Sequence, residues 1–98
     1  MGIEQIEGII EAILFTMGES VSVEKIAAAI EHDVNTTEKI IHNMMDRYEE
    51  GNRGIRIIEL ERAFQLCTKP EMYEYLIRVA KQPKHYALTD VMLETLSI

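Results

Sequence analysis

"GIRIIELERAFQLCTK", residues 54–69, interleaves β-branched residues with charges and breaks at Glu61–Ala63. Ile55, Ile57 and Ile58 lead into the break, and Phe64, Leu66 and Cys67 lead out of it. The pattern predicts two short antiparallel strands joined by a tight bend. A three-residue loop at Glu61, Arg62 and Ala63 sets Leu60 opposite Phe64 and Ile58 opposite Leu66, gathering the large apolar groups on one face. A two-residue loop would pair Glu59 with Phe64 and is the poorer choice on that count. The preferred register puts Ile55, Ile57 and Cys67 on the reverse face, beside Glu59 and Gln65. No glycine supplies the positive backbone angle such a loop commonly uses, an omission that costs about 1 kcal/mol.

Three helical patterns precede the hairpin. Ile3, Ile6, Ile9, Ile10, Ile13, Leu14 and Met17 recur at three- and four-residue steps with Glu4, Glu7 and Glu11 between them, and Gly18 closes the stretch. Val21 makes a short extended link. Ser22 then caps a second helix, whose inner face is Ile26, Ala27 and Ile30. Asn35 caps the third, with Glu38 completing a capping box; Ile40, Ile41, Met44, Met45 and Tyr48 are its buried face, and Gly51 stops it.

Beyond the hairpin, Thr68, Pro70 and Glu71 form another helix start, and the helix runs over roughly 70–80. It carries two apolar stripes where one core contact needs a single stripe: Met72, Leu76 and Val79 form the first, widened by Tyr75, and Tyr73, Ile77 and Ala80 form the second. "KQPKH" (81–85) reads as a linker, and Thr89 caps a last segment, Asp90–Ile98, that reads as a helix cut short. Three helices, a two-stranded wing and a fourth helix against it are the order of a winged helix-turn-helix, a mainly α fold with a small β-hairpin. The expected division is a winged-helix domain over 1–82, followed by a linker and truncated helix over 83–98.

Composition narrows the function. A chain of 98 residues, 47% hydrophobic and 28% charged, builds one small core and is too apolar to stay disordered. Cys67 is the sole cysteine, so no internal disulfide forms, and a cytoplasmic location is expected. No apolar run approaches the roughly 20 residues of a membrane span. The net charge is −7, and residues 1–24 hold Glu4, Glu7, Glu11, Glu19 and Glu24 without one Lys or Arg.

Winged helices commonly read DNA through a basic second helix. Here the third helical stretch sets Lys39 and Arg47 against Glu38, Asp46, Glu49 and Glu50, while the wing sets Arg53, Arg56 and Arg62 against Glu59 and Glu61. A winged-helix transcription regulator is therefore the alternative, and a protein-binding module is preferred. His42 and Asp46, four apart on a helix, lack a third ligand nearby, so no metal is expected, and Cys67 has no base beside it in sequence. No catalytic residue and no cofactor is predicted.

Several stretches resemble a known family. "IEAILFTMGESVSVEKIA" (10–27), "RGIRIIEL" (53–60) leading into "FQLCTKPE" (64–71), and "LTDVMLETLSI" (88–98) are similar to the start, the wing and the interdomain segment of segregation and condensation protein B, ScpB. The resemblance implies a protein of two winged-helix domains. The first would dimerise, and the dimer would bind the kleisin ScpA and, through it, the Smc ATPase in the bacterial condensin that compacts and segregates chromosomes. It further implies that "LETLSI" (93–98) opens the second domain, that the kleisin surface lies largely there, and that no active-site residue is to be sought. Glu61–Ala63 depart from the glycine-rich wing tip frequent in the family, and Ser20 stands where proline is frequent.

The excess apolar surface marks the expected interface. Ile55 and Ile57 on the wing's reverse face, with Tyr73 and Ile77 on the second stripe of the fourth helix, are the residues predicted to hold a symmetric homodimer.

Overall fold

The computed structural model describes residues 2–81. The expected helix over Asp90–Ile98 and the linker before it lie outside that range.

Helix α1 (Ile3–Met17) buries Ile6, Ile10 and Leu14 and stops at Gly18, whose left-handed backbone (φ 67°) lets its N–H reach the Leu14 carbonyl. Strand β1 (Val21–Ser22) is brief. The Ser22 hydroxyl accepts from the Lys25 amide at 3.2 Å and opens α2 (Val23–Ile30), as the sequence indicates. Helix α3 (Val34–Glu50) begins earlier than expected, because its cap is Asp33 and not Asn35. The Asp33 carboxylate accepts from the Thr36 amide at 2.9 Å and the Thr36 hydroxyl at 2.7 Å, while its own carbonyl accepts from buried Thr37. Those bonds hold the Asp33 carboxyl below its ordinary pKa, the Thr36 contacts being the cause.

The hairpin is β2 (Ile55–Leu60) and β3 (Ala63–Thr68), antiparallel, with β1 paired to the other edge of β3 in the order β1-β3-β2. Its register corrects the sequence expectation. Leu60 faces Ala63, Glu59 faces Phe64, Ile57 faces Leu66 and Ile55 faces Thr68, so the bend is the two-residue one at Glu61–Arg62. A one-residue slip moves every side chain of β2 to the opposite face. Ile57 and Phe64 therefore point inward, 2% and 0% exposed, and Ile58 and Leu60 point out.

The cause lies outside the hairpin. Val21 and Ser22 pair with Phe64 and Ala63, the Val23 amide donates to the Arg62 carbonyl at 2.9 Å, and the Arg62 guanidinium grips Glu24. These contacts fix Arg62 in the left-handed region (φ 54°) without a glycine.

The core is one cluster. Ile6, Ile10 and Leu14 of α1, Ile26 and Ile30 of α2, and Ile40, Ile41 and Met44 of α3 close over Ile57 and Phe64. Arg47 and Tyr48 of α3 reach back to Glu7 and Glu11, lacing α3 to α1. Burial, then the Glu11 carboxylate, pushes the Tyr48 phenol up to about 12.

After β3 the chain passes Lys69 into a 3₁₀ turn (Pro70–Met72) and helix α4 (Tyr73–Ala80). Lys69, not Thr68, holds the cap position, with no side-chain cap bond. Every residue of α4 is exposed: the helix extends from the body and does not lie against the wing as expected.

Candidate protein-docking surfaces

Two apolar surfaces stand out, and the first is α4. At 100° per residue, Tyr75, Val79, Leu76, Ala80, Tyr73 and Ile77 sweep more than half its circumference, leaving a narrow polar stripe of Glu74 and Arg78. Tyr73 and Ile77 are 53% and 51% exposed, and Leu76 and Val79 are exposed with them. Glu74 and Arg78 pair at 3.0 Å, and Arg78 lies over the Tyr75 ring at 5.1 Å, so the polar stripe reinforces the helix from its own side chains. Eight residues are too few for a helix to persist on propensity alone.

The root of α4 is held firmly. Lys69 is 6% exposed, its Nζ donates to the carbonyls of Tyr48 at 2.8 Å and Gly51 at 3.3 Å, and its amide donates to Gly54 at 2.9 Å. The ammonium thus meets the carbonyl end of α3, where the helix dipole favours a cation. Met72 lies against Gly54, where an added Cβ would sit 3.6 Å from its side chain.

The second surface is a groove of about 300 Å³ between α1 and the sheet, lined by Gly8, Glu11, Ala12, Phe15, Ile55 and Leu66. Phe15 is 76% exposed. Ile55 and Leu66 line the groove from below, half-buried against the core.

The structure therefore divides the four predicted interface residues. Tyr73 and Ile77 share an exposed helix; Ile55, half-buried, is on the inner face of the sheet and lines the groove; Ile57 is core. The placement of Ile55 and Ile57 on the wing's reverse face fails with the register from which it came. That outer face instead carries Arg56, Ile58, Leu60, Ala63, Gln65 and Cys67. Sequence reasoning missed Gly8, Ala12 and Phe15. The signal was present, since Phe15 falls off the apolar stripe of its helix, on the side turned away from Ile6, Ile10 and Leu14.

The surface that reads DNA in other winged helices is electrostatically occupied here. Arg47 pairs with Glu7, Arg62 with Glu24, and Arg56 with Glu49 at 3.8 Å, while Arg53 lies over the Tyr48 ring at 5.5 Å. His42, considered with Asp46 as a metal pair, meets Glu59 at 3.0 Å. Among the described residues no three of His, Cys, Asp or Glu gather as a metal site, and no helix is long and apolar enough to cross a membrane.

Helices packed on a three-stranded sheet, with a wing and a projecting last helix, define a winged-helix domain whose prominent free surfaces are apolar. The comparisons narrow that class. The model of the segregation and condensation complex subunit ScpB matches residues 8–98, and the chain belongs to that family. Segregation and condensation protein B of Lachnoclostridium phytofermentans is 62% identical over 98 residues, covering 100% of this chain and 52% of the relative. That of Agathobacter rectalis is 59% identical over 90 residues, covering 91% and 48%. The chain thus spans about half the length of the curated relatives it matches. Among solved structures, a dimer of the ScpB N-terminal domain complexed with an ScpA peptide superposes with a TM-score of 0.74 at 31% identity, covering 79% of this chain and 96% of that one. ScpB from Mycobacterium tuberculosis, 21% identical, shares the fold with a TM-score of 0.80, over 97% of this chain and 59% of that one.

Proposed function

We propose that this chain is a non-enzymatic scaffold module of a bacterial Smc–kleisin condensin, acting in chromosome condensation and segregation. Its winged-helix domain (1–82) self-associates, and residues 83–98 lead into a second domain. The observation that carries the reading is the exposed apolar sweep of α4 on a domain whose arginines are already paired. Such a helix holds its shape when another polypeptide covers it. Family membership and a structural relative that is a dimer bound to an ScpA peptide support the same reading.

On this reading the partners are a second copy, the kleisin ScpA and, through it, the Smc ATPase, with the module working in the cytoplasm at the nucleoid. Tyr73 and Ile77 lie at the centre of the self-association surface and Ile55 at its margin. Sedimentation velocity of the purified chain at tens of micromolar tests the proposal. A dimer that Tyr73→Ala weakens and Ile77→Asp abolishes is expected; a monomer indifferent to both substitutions would end it. A DNA-binding regulator predicts instead salt-dependent duplex binding that Arg56→Glu abolishes.

A further inference from the structure

We infer that the direction of α4 is set by a latch at Lys69 which Tyr48 ties to Glu11 of α1, so that the arm answers to what happens at the α1 face. The device belongs to the single chain and holds whether or not two chains associate.

A buried ammonium needs a reason. Lys69 is the only buried charged residue among the described ones, and an apolar side chain of similar length would fill its place without the cost of desolvation. What the ammonium adds is direction. Its Nζ donates at 2.8 Å and 3.3 Å to the carbonyls of Tyr48 and Gly51, which the end of α3 leaves without a helical donor. No joint between this latch and the arm is loose. The Lys69 amide donates to the Gly54 carbonyl at 2.9 Å, the Lys69 carbonyl accepts from the Met72 amide at 2.9 Å, and Pro70 opens the turn with a fixed backbone angle. Every residue of α4 is exposed, so packing against the body does not set its angle.

Tyr48 extends the latch to α1. Its carbonyl receives the Lys69 ammonium, its hydroxyl donates to the Glu11 carboxylate, and its ring carries the Arg53 guanidinium at 5.5 Å. One buried residue thus meets α1, the entry to the wing and the root of the arm. Glu11 is the exposed end of this chain of contacts, on the wall of an open cleft between α1 and α3. Drawing its carboxylate away frees the phenol, and the last turn of α3, which holds both carbonyls of the latch, loses its tie to α1. Coupling of this kind is reciprocal: an arm held still steadies the bond between Tyr48 and Glu11.

Pulsed electron resonance between two nitroxides reads the direction of the arm. In a Cys67→Ser background of the whole chain, labels go on exposed Asn35→Cys in α3 and Lys81→Cys after α4, and labelled chains are diluted with unlabelled ones so that only distances within one chain are read. The parent is expected to give one narrow peak, and Lys69→Met to broaden it by about twofold or more. Tyr48→Phe and Glu11→Ala, which remove only the outer bond, are expected to broaden it less, and Glu11→Ala added to Lys69→Met to do nothing further. Arg47→Ala cuts the other tie between α1 and α3, which bypasses Lys69, and should leave the peak as it is. A reference pair on Ser20→Cys and Asn35→Cys should be unmoved throughout, where a general loosening of the body would shift it.

Three results overturn the device. A peak that Lys69→Met leaves narrow shows that something other than the latch aims the arm. A peak that Lys69→Met broadens but Tyr48→Phe and Glu11→Ala do not breaks the tie to α1. Arg47→Ala broadening the peak as much as Glu11→Ala shows that the arm follows any loosening of α1 from α3, with no special part for Tyr48. Because Tyr48→Phe and Glu11→Ala leave Lys69 in place, the tie is tested even in the event that Lys69→Met fails to fold.

Discussion

Replacing Lys69 with methionine isolates the contact that joins three parts of the molecule. Methionine keeps most of the stem and its apolar packing but removes the ammonium, so the Tyr48 and Gly51 carbonyls lose their donor. Hydrogen bonds from a charged donor are worth about 1.5–3 kcal/mol net, and a cation at a helix C-terminus adds about 0.3–1 kcal/mol. Against this, Lys69 has surrendered nearly all its hydration and forms no ion pair with a described carboxylate, so an apolar substitute recovers part of that cost. The balance is a loss of about 2 kcal/mol, which for a domain of this size lowers the melting temperature by roughly 10 °C. Urea unfolding followed by circular dichroism measures it, in low salt and again in 0.5 M salt. The loss should persist at high salt because the contact is buried. Lys81→Met, an exposed control at the end of α4, should shift stability by less than about 0.5 kcal/mol. A Lys69→Met chain as stable as its parent would show that desolvation cancels the bonds and that α4 has no firm root.

The other predictions concern the core, the caps and pH. Phe64→Ala empties the centre of the core and should cost about 3–5 kcal/mol by denaturant titration. Ile57→Asp should prevent folding, where a surface isoleucine would tolerate the change; a soluble, folded Ile57→Asp chain by circular dichroism would contradict the observed register. Because the Tyr48 phenol is raised to about 12 in the folded chain, its contribution is full below its ordinary value near 10 and lost as pH rises from there through 12. Relative to each at pH 8, the parent should therefore lose stability more steeply above pH 10 than Tyr48→Phe does, by denaturant titration at each pH; parallel losses in the two chains would refute the assignment. Asp33→Asn should flatten the acid limb, since a carboxyl held below its ordinary pKa gives stability present above that value and lost as pH falls through the folded one.

Much of the fold was legible because its boundaries are local chemistry. Gly18 ends α1 with a left-handed backbone and Ser22 opens α2 by hydroxyl capping, each where the sequence places it, while α3 stops at Gly51 with an extended backbone. The start of α3 was less so: Asp33 and Asn35 are both good caps, and Asp33 wins because it bonds both the amide and the hydroxyl of Thr36. The hairpin register was not legible from the hairpin. Ile55 with Ile57, or Ile58 with Leu60, gives an equally apolar inner face, and the choice is made by β1 and Glu24, about 40 residues earlier in the chain. The candidate site divides the same way. Excess grease on α4 is visible in one short segment, whereas the groove exists only once Gly8, Ala12 and Phe15 meet Ile55 and Leu66.

That same long-range pairing decides what the module can hold. A duplex is gripped by cations whose counterions are released when phosphate replaces them. Here Arg47 and Arg62 already have carboxylates from α1 and α2, and Arg56 has one from α3, so a phosphate contact by any of these three would first break an internal pair and then leave a carboxylate facing the duplex. The pairs also tie the helices and wing to one another, so the charges that would have addressed nucleic acid are spent holding the domain's own shape. Much of the apolar surface that remains outward among the described residues sits on α4, the helix that the body does not cover. An uncovered apolar helix raised on a rigid root is a surface for another polypeptide, and the sequence change that would return it to DNA would have to remove Glu7, Glu24 and Glu49 before adding any cation.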